Sequence, residues 1–189
     1  VALSHLLKTG RLIHFSNQSY FFENATKAVC IIGGTDFDTI LWSRFGINPK
    51  TEEYKFVLCE IDMTARTKGG DIPLRKLAYY NPTSFTLYLF NGNDTIYKCT
   101  PNGVTVIENG DEDVVFIKDP NFEPFSLLES YEKDFMFKVF KLFNLDEARL
   151  TLWQQYDVIR LFIYYSFFYS DKRPILHFVG QQGSGKSTL

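Results

Sequence analysis

The chain has 189 residues, a net charge of −2 and 45% apolar residues, enough for one ordinary domain or a small domain with part of another. That composition argues against long disorder. It also argues against a chain-wide basic surface of the kind that grips nucleic acid without sequence preference, while leaving room for a local basic patch. Cys30, Cys59 and Cys99 lie far apart, with no C-x-x-C pair and no His/Cys cluster, which speaks against zinc and fits free thiols in a reducing cytoplasm. The longest apolar run, residues 161–169, is too short to span a bilayer, so no membrane partner is expected.

In chain order, residues 11–16 and 19–24 are apolar-rich and separated by Asn17-Gln18, which predicts a β-hairpin, with 27–32 as a third strand. Gly33-Gly34 breaks the pattern. Thr35 or Asp36 can then cap a helix reaching Phe45, where Gly46 stops it. After Pro49, residues 51–64 read as a second helix, because Tyr54, Val57, Leu58 and Ile61 recur at three- and four-residue spacing. Further on the period becomes two. Residues 85–90, 95–100, 103–107 and 114–117 are β-rich and are separated by Asn- and Gly-containing turns, which predicts an antiparallel meander. Residues 118–124, with two prolines, read as a linker.

Two helices are expected next, over 126–143 and from near Leu145-Asp146-Glu147 to about Ser170. The second has Leu152, Tyr156, Ile159, Ile163 and Phe167 as its buried stripe and is apolar nearly all round beyond Val158, so other elements should cover it. Ile175-Leu176-His177-Phe178-Val179 is then a short strand running into Gly180-Gln181-Gln182-Gly183-Ser184-Gly185-Lys186-Ser187.

That last stretch fits G-x-x-x-x-G-K-[S/T], and phosphate chemistry accounts for each residue type. Glycines let backbone N–H groups turn inward around phosphates, so Gly180, Gly183 and Gly185 supply freedom where side chains would block approach. A helix opening at Gly185-Lys186 would add its N-terminal dipole and unpaired N–H groups. Lys186 would reach the β- and γ-phosphates of ATP, the Ser187 hydroxyl would ligate Mg²⁺, and Ser184 and Thr188 complete the cradle.

Other signals have ordinary structural explanations. Asp36-Phe37-Asp38 resembles a metal-holding pair but suits the first turn of a helix equally. His5 and His14 are isolated, and His177 reads as a packed strand residue. Tyr164, Tyr165, Phe167, Phe168 and Tyr169 are able to stack bases, yet core packing explains them more simply. Lys133, Lys138 and Lys141 read as a solvated helix face. Arg66, Lys68, Arg75 and Lys76 form a modest basic zone.

The order of features goes beyond the motif. Leu12-Ile13-His14-Phe15 with Ser19-Tyr20-Phe21-Phe22 resembles the opening hairpin of phage and mobile-element ATP-binding proteins related to primase-associated helicases. Leu41-Trp42-Ser43-Arg44-Phe45, the meander around Phe85-Thr86-Leu87-Tyr88-Leu89-Phe90 and Gly103-Val104-Thr105-Val106, and the helix-then-strand approach to the P-loop are similar to later segments of those proteins. The resemblance implies an AAA+-like or superfamily 3-like ATPase, assembling as a homo-oligomeric ring on DNA, often beside a primase. The expected organisation is an α+β accessory module over 1–120, a helical segment over 121–173, and over 174–189 the first strand and P-loop of an incomplete α/β P-loop NTPase domain. Walker B, sensor and arginine-finger residues are then expected downstream, and the piece alone should not turn ATP over. Alternatives of other classes are a small-molecule kinase and a non-hydrolysing nucleotide switch.

Overall fold

The structure is a computed structural model describing residues 1–119, 122–127, 138 and 151–168. These fall into two compact units, one of residues 1–78 and 88–126, the other containing 79–87 and the described residues from 127 onward.

In the first unit, β1 (Gly10–Phe15) and β2 (Gln18–Glu23) pair antiparallel from Gly10 opposite Glu23 to Phe15 opposite Gln18. That register leaves Ser16 and Asn17 as the two loop residues, both at positive φ (50° and 64°), as a tight hairpin turn matching strand twist requires. The turn therefore sits one residue earlier than Asn17-Gln18, because Gln18 already pairs. β3 (Val29–Ile31) adds to the far side of β2.

Both faces of this sheet are covered. Leu12 and Phe21, directly opposite each other, turn to a core with Leu6, Phe37, Leu41, Ile61 and Ala65. Ile13 and Phe22 lie on the other face with Leu74 and Val115. Sheets that pack on both faces lose the clean apolar–polar alternation, so the hairpin is legible from its turn more than from its period.

Three helices build the first core. α1 (Ala2–Thr9), which the sequence reading did not anticipate, buries Ala2 and Leu6. α2 (Thr35–Phe45) begins from Gly34 with no side-chain cap, so neither Thr35 nor Asp36 serves as the N-cap; both already lie within the helix. It ends where Gly46, at φ 67°, adopts the left-handed conformation and returns its N–H to Trp42 O at 2.9 Å. α3 (Glu52–Lys68) opens on Thr51, whose hydroxyl accepts from Tyr54 N–H, and runs one turn past the expected Thr64. Glu52 and Glu53 sit at its start and Arg66 and Lys68 at its end, each sign favourable to the helix dipole.

The meander is partly as expected. β6 (Thr86–Phe90), β7 (Thr95–Thr100) and β8 (Gly103–Glu108) follow in order, and β5 (Ala78–Asn81) joins them to give the sheet order β5-β6-β7-β8. The fourth expected strand leaves this sheet. β9 (Val115–Phe116) pairs in parallel with β4 (Leu74–Arg75), a two-residue strand without sequence period. Residues 111–113 form a single tight turn of helix between β8 and β9.

In the second unit, α4 (Leu152–Phe168) does not start near Leu145. Thr151 is non-helical, and its hydroxyl accepts from Gln154 N–H while Gln154 Oε1 accepts from Thr151 N–H at 2.9 Å, a reciprocal cap that fixes the start. Ile159 is buried and Tyr156, Ile163 and Phe167 are partly so, following the anticipated stripe. The other face is open: Leu161 is 58% exposed, and Tyr164, Tyr165 and Phe168 are exposed too, so full cover of this helix is not what the described residues provide. Tyr80 meets Phe168 edge-on, with ring centroids 5.0 Å apart. The expected helix over 126–143 lies outside the described residues, except that 126 and 127 are not helical and Lys138 is helical and exposed.

Candidate functional site

The residues expected to form a phosphate-binding loop, Gly180, Gly183, Ser184, Gly185, Lys186, Ser187 and Thr188, with the expected strand before them and His177, lie outside the described residues. Their chemistry rests on the motif. Within the described residues the question is whether a polar cluster is built for binding or for holding the fold together.

Three charged clusters stand out, and each is internally paired. Arg11 lies directly opposite Phe22 across the hairpin, which places its guanidinium 4.7 Å from the ring centroid. The same group donates to Asp113 Oδ1 at 3.0 Å and to Gly110 O at 2.9 Å, tying β1 to the loop after β8. Glu23 is buried and is held by Arg44 from the end of α2 and by the Thr26 hydroxyl at 2.8 Å. A buried carboxylate needs such partners to stay charged. Glu112 accepts from Lys98 and from the Tyr88 hydroxyl at 2.8 Å, contacts that in that order hold its carboxyl below the usual range. All three clusters join segments distant in sequence; the Glu23 and Glu112 carboxylates are engaged at both oxygens, while Asp113, 78% exposed, is engaged at Oδ1.

Asn109 is 2% exposed and makes three bonds. Its amide donates to Lys27 O and Phe116 O, each at 2.9 Å, and its carbonyl accepts from Phe116 N–H at 2.8 Å. The sequence marks Asn109-Gly110 only as a turn. The side chain is in fact a buried substitute for a strand neighbour, satisfying backbone that β9 is too short to pair.

The weaker sequence signals resolve as follows. Asp36 is exposed in the first turn of α2, and Asp38 accepts from the Tyr54 hydroxyl, whose pKa burial and that bond push up to about 12. His5 packs edge-on against Phe45, and His14 Nδ1 lies 3.2 Å from the Ser19 hydroxyl. Among the described residues no three His, Cys, Asp or Glu side chains gather as a metal site. Of the basic zone, Arg66 pairs with Asp62 on its own helix. Lys68 lines an open cleft of about 340 Å³ with Leu7, Arg11, Leu12, Thr64 and Ile72. The cleft brings Lys68 and Arg11 together, but Arg11 is already engaged, and Arg75 and Lys76 are not among the lining residues.

Burial, reinforced by the carboxylates of Asp36 and Glu23, pushes the Cys30 thiol to about 11, so it is no nucleophile at neutral pH. No described helix is long and apolar enough to cross a membrane. No protein-family model, characterised protein or solved structure matches the chain.

Proposed function

We propose that this chain binds ATP with Mg²⁺ through residues 180–188 and belongs to a DNA-dependent ATPase of helicase or translocase type, acting in the cytoplasm in the replication of a phage or mobile element. The observation that carries this reading is the motif itself. Glycines, a lysine and a hydroxyl stand at the spacing that phosphate and magnesium require, directly after Ile175-Leu176-His177-Phe178-Val179, in which four of five residues are apolar. The donor set suits the ligand. Lys186 supplies a point charge for the β- and γ-phosphates, and Ser187 a hard oxygen for Mg²⁺. Gly183 and Gly185 keep the backbone free to close around the phosphates. The bound metal would neutralise charge developing on the phosphates, and the chain's own residues orient them.

The first unit then serves as an accessory module for contact with DNA or a partner such as a primase, and ring assembly is the oligomeric form that fits such a motor. The paired state of its charged clusters supports that reading, since the groups this unit buries are spent on its own stability.

The test is magnesium-dependent ATP binding by the chain, and ATP turnover with and without single-stranded DNA by the intact protein that carries it, each beside Lys186→Ala. Magnesium-dependent ATP binding lost in the variant supports the site, and turnover stimulated by DNA supports the motor. ATP binding without DNA stimulation favours a kinase or a nucleotide switch. Binding that survives Lys186→Ala unchanged overturns the assignment.

A further inference from the structure

The β5-β6-β7-β8 sheet ends on β8, and among the described residues no strand pairs with its other side. β8 pairs with β7 from Thr100 opposite Gly103 to Thr95 opposite Glu108, and no backbone hydrogen bond from residues 103–107 reaches any described residue on its other side. Its side chains are open on both faces: Val104 is 51% and Val106 62% exposed, and Gly103 and Thr105 are exposed as well.

Proteins usually blunt such an edge with a lysine, a proline or a bulge, because its free N–H and C=O groups are a template for another strand. Residues 103–107 contain none of these. Charge returns only at Glu108, which is engaged with Lys27 at 2.7 Å, and Pro101 precedes the strand.

We propose that β8 is a self-association edge, pairing antiparallel with β8 of a second copy about a two-fold axis through Thr105. Residues directly opposite in a sheet must share a face, so for two copies of one strand the paired numbers sum to an even value. The two registers with greatest overlap centre on Thr105 or on Val106. Centring on Val106 sets the Glu108 carboxylate opposite Val104, on the apolar face. Centring on Thr105 avoids this. Val104 then faces Val106 of the second copy, twice by symmetry, Thr105 faces its own counterpart, and Glu108 falls opposite Asn102, beyond the strand. Tyr97 and Cys99 stand opposite Val106 and Val104 on β7, so each apolar row runs uncharged across four strands. Matched β-branched and Thr–Thr pairs are favourable cross-strand neighbours.

A six-residue edge buries little area, so this contact belongs to the weak, concentration-dependent class. The second copy is favoured over an unrelated peptide because the strand's own sequence supplies the complement at every position.

The experiment is sedimentation velocity of the full chain over a concentration series, alongside Thr105→Lys, Thr105→Glu and an equimolar mixture of the two. The chain should show a reversible dimer. Each substitution alone places like charges opposite each other on the axis and should weaken the dimer roughly tenfold, whereas the mixture should recover it. Circular dichroism melts check that both variants remain folded. Hydrogen exchange on the unsubstituted chain reads the edge without any mutation, and residues 103–107 should gain protection at high concentration and lose it on dilution. A monomer at every concentration, a dimer indifferent to both charges, or exchange at 103–107 independent of concentration would each overturn the proposal.

Discussion

Replacing Asn109 with alanine probes the bond set that fastens β9 to the rest of the first unit. The side chain is 2% exposed and its three bonds measure 2.8–2.9 Å. Truncation leaves Phe116 N–H without an acceptor in a buried site, a cost of about 1–3 kcal/mol, and removes one donor each from Phe116 O and Lys27 O, at about 0.5–1 kcal/mol apiece. The bond to Lys27 is only partly buried, so water recovers some of it. The sum is about 3 kcal/mol, a large part of the roughly 5–15 kcal/mol that holds an ordinary domain together. Urea unfolding followed by far-ultraviolet circular dichroism should show the midpoint falling by roughly 1–2 M with the slope unchanged.

Asn109→Asp sharpens the test. It keeps the shape but turns an oxygen toward two carbonyl oxygens, which raises the carboxyl's folded pKa above its unfolded value. Its penalty relative to the parent should therefore be greatest above the folded pKa and shrink as pH falls through it toward the unfolded value. A loss below about 1 kcal/mol for the alanine variant, or an aspartate penalty independent of pH, would refute the account.

Three further outcomes follow from the same structure. Gly110→Ala should destabilise by about 2–4 kcal/mol in the same urea assay, because a Cβ would stand 2.5 Å from the Phe22 ring and 2.9 Å from Arg11 Nη2, at φ 95°. Thiol titration at pH 8 should show Cys59, which is exposed, reacting first, with Cys30 slow because its pKa is raised to about 11; Cys59→Ser should remove the fast phase. Glu112 has a lowered folded pKa, so its contribution is present above the unfolded carboxylate value and lost as pH falls through the folded one. Both partners are partly exposed, so Glu112→Gln should cost no more than a few tenths of a kcal/mol at pH 7, measured as a flattened acid limb of stability against pH.

How much of this fold the sequence revealed depended on how local each signal was. α3 was readable because its apolar positions recur at helical spacing and Thr51 caps it. The hairpin was readable because its turn residues tolerate positive φ. β4 is not, since a two-residue strand carries no period, and β9 is legible as a strand within 114–117 but not in its partner, since the parallel pairing joins Leu74 to Val115 across some forty positions. α1 was missed because its buried side is only Ala2 and Leu6, too few to set a stripe. The start of α4 is not legible, because Asp146 and Glu147 suit a helix start while the reciprocal bonds of Thr151 and Gln154 set it at Leu152.

The same distinction separates the two halves of the functional reading. A P-loop is written in eight consecutive residues because its ligand is held by backbone N–H groups of one continuous turn, so a binding chemistry can be proposed from the sequence alone. The first unit has no such compact code. Arg11, Asp113, Gly110 and Phe22 form one cluster from three segments, and Glu112, Lys98 and Tyr88 another, so neither is visible before the chain is folded. Once folded, these groups hold one another, with Arg11 Nε buried and without a hydrogen bond among the described residues, and the larger open feature of this unit lies elsewhere. It is the backbone edge of β8, where the uncharged stretch 103–107 presents outward N–H and C=O groups that a further strand can pair.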